Sequence, residues 1–150
     1  MVHLLHADRG KMRFRIFFIT YVAANLSLVA YGILALLNPG ILLDSFSVHV
    51  YQFPNDAAVA VDYLSALFRL LGFFNLVLGV LGLILLRQYG ISRQRWTLQI
   101  VIASSLLAYL GPIVFDNTVG EIGVFEIIEH ILFAAMILFG ITMLREREPV

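Results

Sequence analysis

Four apolar runs, each about 20 residues or longer, leave this chain few ways to fold. A helix rises 1.5 Å per residue, so about 20 residues cross a hydrocarbon core of about 30 Å. The runs fall at residues 16–37, 58–86, 96–115 and 122–144. Of the 150 residues, 61% are hydrophobic and only 13% charged, and the mean hydropathy is +0.92. Soluble domains carry about 25% charged residues, and a fold of this size could not hide so much apolar surface from water. The expectation is an all-α, four-transmembrane-helix bundle forming one integral membrane domain.

Composition removes several function classes. A formal net charge of zero argues against nucleic acid as the partner. Without cysteine there is no disulfide framework, redox thiol or thiolate metal site. Four-helix membrane families built on cysteines, such as tetraspanin-like and claudin-like chains, are excluded with them. A basic flank precedes the first run, as in a signal peptide. The run is too long for a signal core and lacks a clear cleavage site, so it reads as a retained first span.

Orientation follows from the basic residues. Arg9, Lys11, Arg13 and Arg15 precede span one, Arg87, Arg93 and Arg95 lie between spans two and three, and Arg145 and Arg147 follow span four. Nine of the ten basic residues thus fall at one end, which places both termini in the cytoplasm. A bacterial inner membrane is the expected location. Asn38-Pro39-Gly40 should stop span one, Tyr89-Gly90-Ile91-Ser92 should form a short turn, and Gly111-Pro112 should bend span three. The β-branched and aromatic stretch at 45–53 reads as an ordered outer loop, with a lid over a pocket as the other reading.

The tenth basic residue, Arg69, lies inside span two, while Glu126, Glu129 and His130 lie inside span four. An ionisable group at the bilayer centre costs roughly 2.5–3.5 kcal/mol, so such groups pair or mark a site. At 100° per residue Glu126, Glu129 and His130 share one arc, and Asp62, Ser65, Arg69 and Gly72 share another. Both arcs are expected to face the bundle interior and meet. Three acids against one arginine and one histidine require at least one protonated carboxyl for neutrality. The candidate catalytic set is Glu126, Glu129, His130 and Arg69. Asp62, Tyr109, Asn75 and Asn25 are the candidate ligand-binding groups.

Glu126-x-x-Glu129-His130 matches neither a zincin nor a di-iron spacing, so no metal is expected. A single in-span histidine cannot make a bis-histidine haem, and no cofactor is expected. Acid/base chemistry on a lipophilic or quinone-like molecule, of an isomerase or cyclase kind, suits the set. In the competing reading the chain is an accessory subunit of a larger respiratory or photosynthetic assembly, with the polar cluster as internal glue. Membrane lipids, a lipophilic small molecule, a second copy or a larger complex are the expected partners. Asn25 and Tyr21 share a face of span one, Ser105 and Tyr109 share a face of span three, and all four read as groups that hydrogen-bond to other helices. Gly32, Ala35, Gly72, Gly79 and Gly82 read as close-packing positions.

In layout, with a first span closed by Asn38-Pro39-Gly40, an outer loop and a glycine-rich second span, the chain resembles the DoxX-like superfamily of small four-helix bacterial membrane proteins. The motif that carries the resemblance runs Arg69-Leu70-Leu71-Gly72-Phe73-Phe74-Asn75-Leu76-Val77-Leu78-Gly79. Some members look like small subunits of quinone-linked oxidoreductases, which the resemblance implies as a setting.

Overall fold

The computed structural model of the protein describes residues 2–41, 57–119 and 124–145, and the side chains of 10–41, 61–114, 117, 124 and 126–145. It is almost wholly helical: α1 Val2–Leu37, α2 Ala57–Ser92, α3 Arg95–Val119 and α4 Val124–Arg145. All four are long and apolar enough to cross a membrane, through Gly10–Leu37, Val61–Ser92, Arg95–Val114 and Glu126–Arg145. The outer-loop stretch at 45–53 lies outside the described residues.

Three element ends differ from the sequence reading. Helix α1 begins well before the apolar run, so Lys11, Arg13 and Arg15 sit on the helix itself. At 36 residues, α1 and α2 are each roughly 54 Å long and must project beyond the hydrocarbon. Tyr89 to Ser92 is the last turn of α2, and only Arg93 and Gln94 separate it from α3. Helix α3 continues through Pro112 to Val119. The stop after Leu37 falls where Asn38-Pro39-Gly40 requires it.

The helices form a ring in chain order. Helix α1 packs on α2 and α4, and α3 packs on α2 and α4, with slight contact between α1 and α3 across the centre. The α2–α4 diagonal is not among the packed pairs. Side-chain levels show that neighbours run antiparallel. Asn25 lies by Gly82 and Gly32 by Gly72 between α1 and α2, and Tyr21 meets Met136 between α1 and α4. Both termini therefore lie at the same end as the α2–α3 turn.

The α1–α2 seam is the tightest contact. A Cβ added at Gly32 would stand 2.6 Å from the Leu76 nitrogen and 2.7 Å from the Gly72 carbonyl oxygen. At Gly72 it would stand 2.6 Å from the Ala35 Cβ, and at Gly79 2.7 Å from the Asn25 carbonyl oxygen. Lipid removes the hydrophobic drive between helices, so dispersion at close backbone approach holds the pair. The other buried side chains form a core of Phe17, Tyr21 and Leu28 of α1, Leu86 and Tyr89 of α2, Val101 and Tyr109 of α3, and Met136 and Met143 of α4. Large apolar side chains such as Phe73, Phe74, Leu107, Ile131 and Leu138 face outward. That much exposed apolar surface suits lipid and not water.

The α2–α3 turn is pinned to α1 by one residue. Arg93 adopts a left-handed conformation at φ 55°, ending α2, and its backbone nitrogen donates to the Tyr89 carbonyl at 2.9 Å. Its guanidinium lies 3.6 Å above the Phe14 ring and its Nε donates to the Gly90 carbonyl. A left-handed residue with a Cβ costs roughly 1–2 kcal/mol, and an exposed cation–π contact returns about 0.5–1 kcal/mol. Arg93→Ala should therefore destabilise by about 1 kcal/mol, because the contact goes and the strain stays. Arg93→Gly should be near neutral. Thermal unfolding of both in one detergent checks this, and equal losses would contradict the balance.

Candidate functional site

The middle of the bundle holds a neutral polar layer. Asn25, 1% exposed, donates through Nδ2 to the Tyr21 carbonyl at 2.7 Å and to Ser105 Oγ at 3.4 Å, which joins α1 to α3. The Tyr21 hydroxyl donates to the Met136 carbonyl at 3.0 Å, joining α1 to α4. Tyr109, also 1% exposed, donates to the Ala24 carbonyl at 2.8 Å and touches the Ser27 hydroxyl. Asn25 Oδ1 is buried with no donor among the described residues. It lies where a Cβ on Gly82 would be, so the Gly82 Cα hydrogens are what it meets. The Asn25 and Tyr109 pairings across helices agree with the hydrogen-bonding reading of the sequence.

Nearer the loop end, α4 contributes its acidic and histidine groups. Glu129 is half-buried on the stripe that continues through Met136, Gly140 and Met143. His130 Nδ1 lies 2.6 Å from the Glu126 carbonyl oxygen, and its Nε2 lies 3.0 Å from Asn117 Nδ2. A carbonyl can only accept, so Nδ1 carries the proton and Nε2 accepts from the amide. Asn117 uses its other amide hydrogen on the Ile113 carbonyl at 2.7 Å. The network thus selects the Nδ1–H tautomer: Nδ1 is held by the preceding turn of α4, and Nε2 ties α4 to α3. Glu126 is half-buried in the first turn of α4, at the positive end of the helix dipole.

Arg69 is not brought to this group. It is exposed on α2, and among the described residues no ion pair joins it to Glu126 or Glu129. Asp62 is likewise exposed, and Asn75 is half-buried on the same helix. Phe68, Gly72, Gly79, Gly82 and Leu86 make the buried stripe of α2, and Arg69 falls roughly 100° round from its centre. The expected meeting of the two arcs therefore differs from the observed arrangement on the α2 side.

Depth explains how the membrane tolerates these charges. Gly72 packs beside Gly32 and Ala35, so Arg69, one turn on, is level with the end of α1 at Leu37. Arg69 lies roughly 27 Å along the axis from Arg87, close to the full thickness of the core. Its guanidinium can extend to the headgroups. Glu129 and His130 stand one to two turns into α4, also toward the loop end. Charge occupies the rims of the bundle, and hydrogen-bonded neutral groups occupy its middle.

Among the described residues no group of three or more histidine and acidic side chains converges as a metal site. Sequence reasoning missed Ser27 and the Asn117–His130 bond. Asn117 lies beyond residue 115, where the third apolar run ends, but the helix continues past it to Val119. No known family model matches the chain, and no curated protein or solved structure matches it significantly.

Proposed function

We propose that the protein is a small non-catalytic membrane subunit that docks onto a larger membrane assembly, with Arg69 as a contact for an acidic group of the partner. The observation that carries this reading is the use of the polar side chains inside the bundle and at its rim. The hydroxyls of Tyr21 and Tyr109, the Nδ2 groups of Asn25 and Asn117 and both nitrogens of His130 are engaged in hydrogen bonds, most of them from one helix to another, while Asn25 Oδ1 and Thr97 Oγ1 are buried among the described residues without a partner. Acid/base chemistry needs such groups turned toward a substrate. Arg69, by contrast, stands outward among Leu67, Leu70, Phe73 and Phe74, with Asp62 two turns away on the same stripe. A guanidinium in apolar surroundings is a strong anchor for a carboxylate. The resemblance of the second span to DoxX-like proteins fits a subunit role in a bacterial inner membrane, and the distribution of arginines favours both termini in the cytoplasm.

The test is the size of the native particle after mild detergent extraction. The wild-type chain should run well above its 16.8 kDa mass. Arg69→Leu should release it to the small form with its melting temperature unchanged, and Arg69→Lys should keep part of the large form. A wild-type chain that runs alone, or an Arg69→Leu chain that stays in the large particle, would contradict the proposal.

The second reading is acid/base handling of a lipophilic or quinone-like molecule by Glu126, Glu129 and His130, with Tyr109 beside them. Its support is that Glu126, Glu129 and His130 are all half-buried along one arc of α4. Under it, Glu129→Gln would abolish turnover of a bound quinone without releasing any partner.

A further inference from the structure

A groove of about 420 Å³ opens between α4 and the start of α1, at the end where both termini lie. Its wall is apolar, formed by Ala134, Ile137, Leu138 and Ile141, all exposed on α4. Thr142 also lines it, but its hydroxyl donates to the Leu138 carbonyl at 2.7 Å and so makes no demand on an occupant. Arg13 of α1 and Arg145 of α4, both exposed, close one end.

We infer that this groove binds one phospholipid whose head carries net negative charge. Arg145 is the last residue of its span and Arg13 lies three residues into its own, so both sit at headgroup level. The apolar wall from Ala134 to Arg145 extends roughly 16 Å into the hydrocarbon, enough to lay an acyl chain along α4. Two guanidiniums from different helices suit a phosphate, which accepts forked hydrogen bonds from each. A zwitterionic head brings its own cation to the same place and loses that advantage. The bound lipid bridges α1 to α4, which also meet through the hydrogen bond from Tyr21 to the Met136 carbonyl and through apolar packing.

Native mass spectrometry of the full chain, released from nanodiscs of equal parts phosphatidylglycerol and phosphatidylcholine, tests this. One phosphatidylglycerol should be retained in preference to phosphatidylcholine. The double variant Arg13→Gln with Arg145→Gln should lower that retention about tenfold, since each arginine near an anionic lipid contributes a few-fold. Ala134→Trp, which fills the groove from an exposed position and leaves the charges in place, should lower it as well. Added phosphatidylglycerol should raise the melting temperature in detergent, and inorganic phosphate at the same concentration should not. Equal retention of the two lipids, full retention by both variants, or the same stabilisation by inorganic phosphate would overturn the assignment.

Discussion

Gly32→Leu or Gly72→Leu should leave little folded protein to recover. The atoms that a Cβ meets at Gly32 are the backbone nitrogen and Cα of Leu76 and the Gly72 carbonyl oxygen. Backbone in a packed helix cannot swing aside as a side-chain end does, so the helices must part along the seam. Overpacking a core costs about 1–3 kcal/mol where side chains can yield, and a backbone clash exceeds that. Even Gly32→Ala is expected to lose about 3 kcal/mol, which corresponds to roughly 10 °C in a chain of this size. Gly10 provides the control. It is helical and has nothing within 4 Å of an added Cβ, so Gly10→Ala should be neutral or slightly stabilising. Size-exclusion fluorescence after a heat ramp gives all three values. A Gly32→Ala chain melting within about 2 °C of wild type would show that the seam is looser than described.

Tyr109 is the second position with a large expected effect, and its two simplest substitutions separate packing from hydrogen bonding. Tyr109→Ala removes a fully buried ring and should cost about 3–5 kcal/mol, as large truncations in cores do. Tyr109→Phe keeps the ring and removes the bonds to Ala24 and Ser27. Interhelical hydrogen bonds in membranes are worth about 0.6–1.7 kcal/mol, so this loss should be near 1 kcal/mol. The same thermal measurement distinguishes them. If Tyr109→Phe cost as much as Tyr109→Ala, the hydroxyl would be the organising element of the layer and the packing incidental. If Tyr109→Phe were neutral, the hydroxyl would not be holding α3 to α1.

The helices were legible because length and hydropathy alone decide a transmembrane span. The break after Leu37 was legible because Pro39 cannot donate to the helix before it, and residues 39–41 begin a new helical turn past Asn38. The turn at Tyr89 to Ser92 was misread for a local reason. Gly90 and Ser92 suggest a turn, but Tyr89 is buried in the core and the left-handed residue that ends the helix is Arg93. The α4 stripe was read in the right phase because Glu129 recurs with Met136, Gly140 and Met143 at helical spacing. The α2 stripe was not. Sequence gives the angle between Arg69 and Gly72, about 60°, but not which of them sits at the centre of the buried face. The glycines decide it, since they let α1 approach, and Arg69 is carried outward.

The arrangement of the charged groups is open to a direct measurement, because the chain has no native cysteine to interfere. Two cysteine pairs can be compared in membranes with a short bifunctional thiol reagent: Asn117→Cys with His130→Cys, and Arg69→Cys with Glu129→Cys. Efficient cross-linking of the first pair and none of the second is expected if α4 is tied to α3 and Arg69 faces away from the bundle. Rapid cross-linking between positions 69 and 129 would place the guanidinium beside the carboxylates and contradict the arrangement.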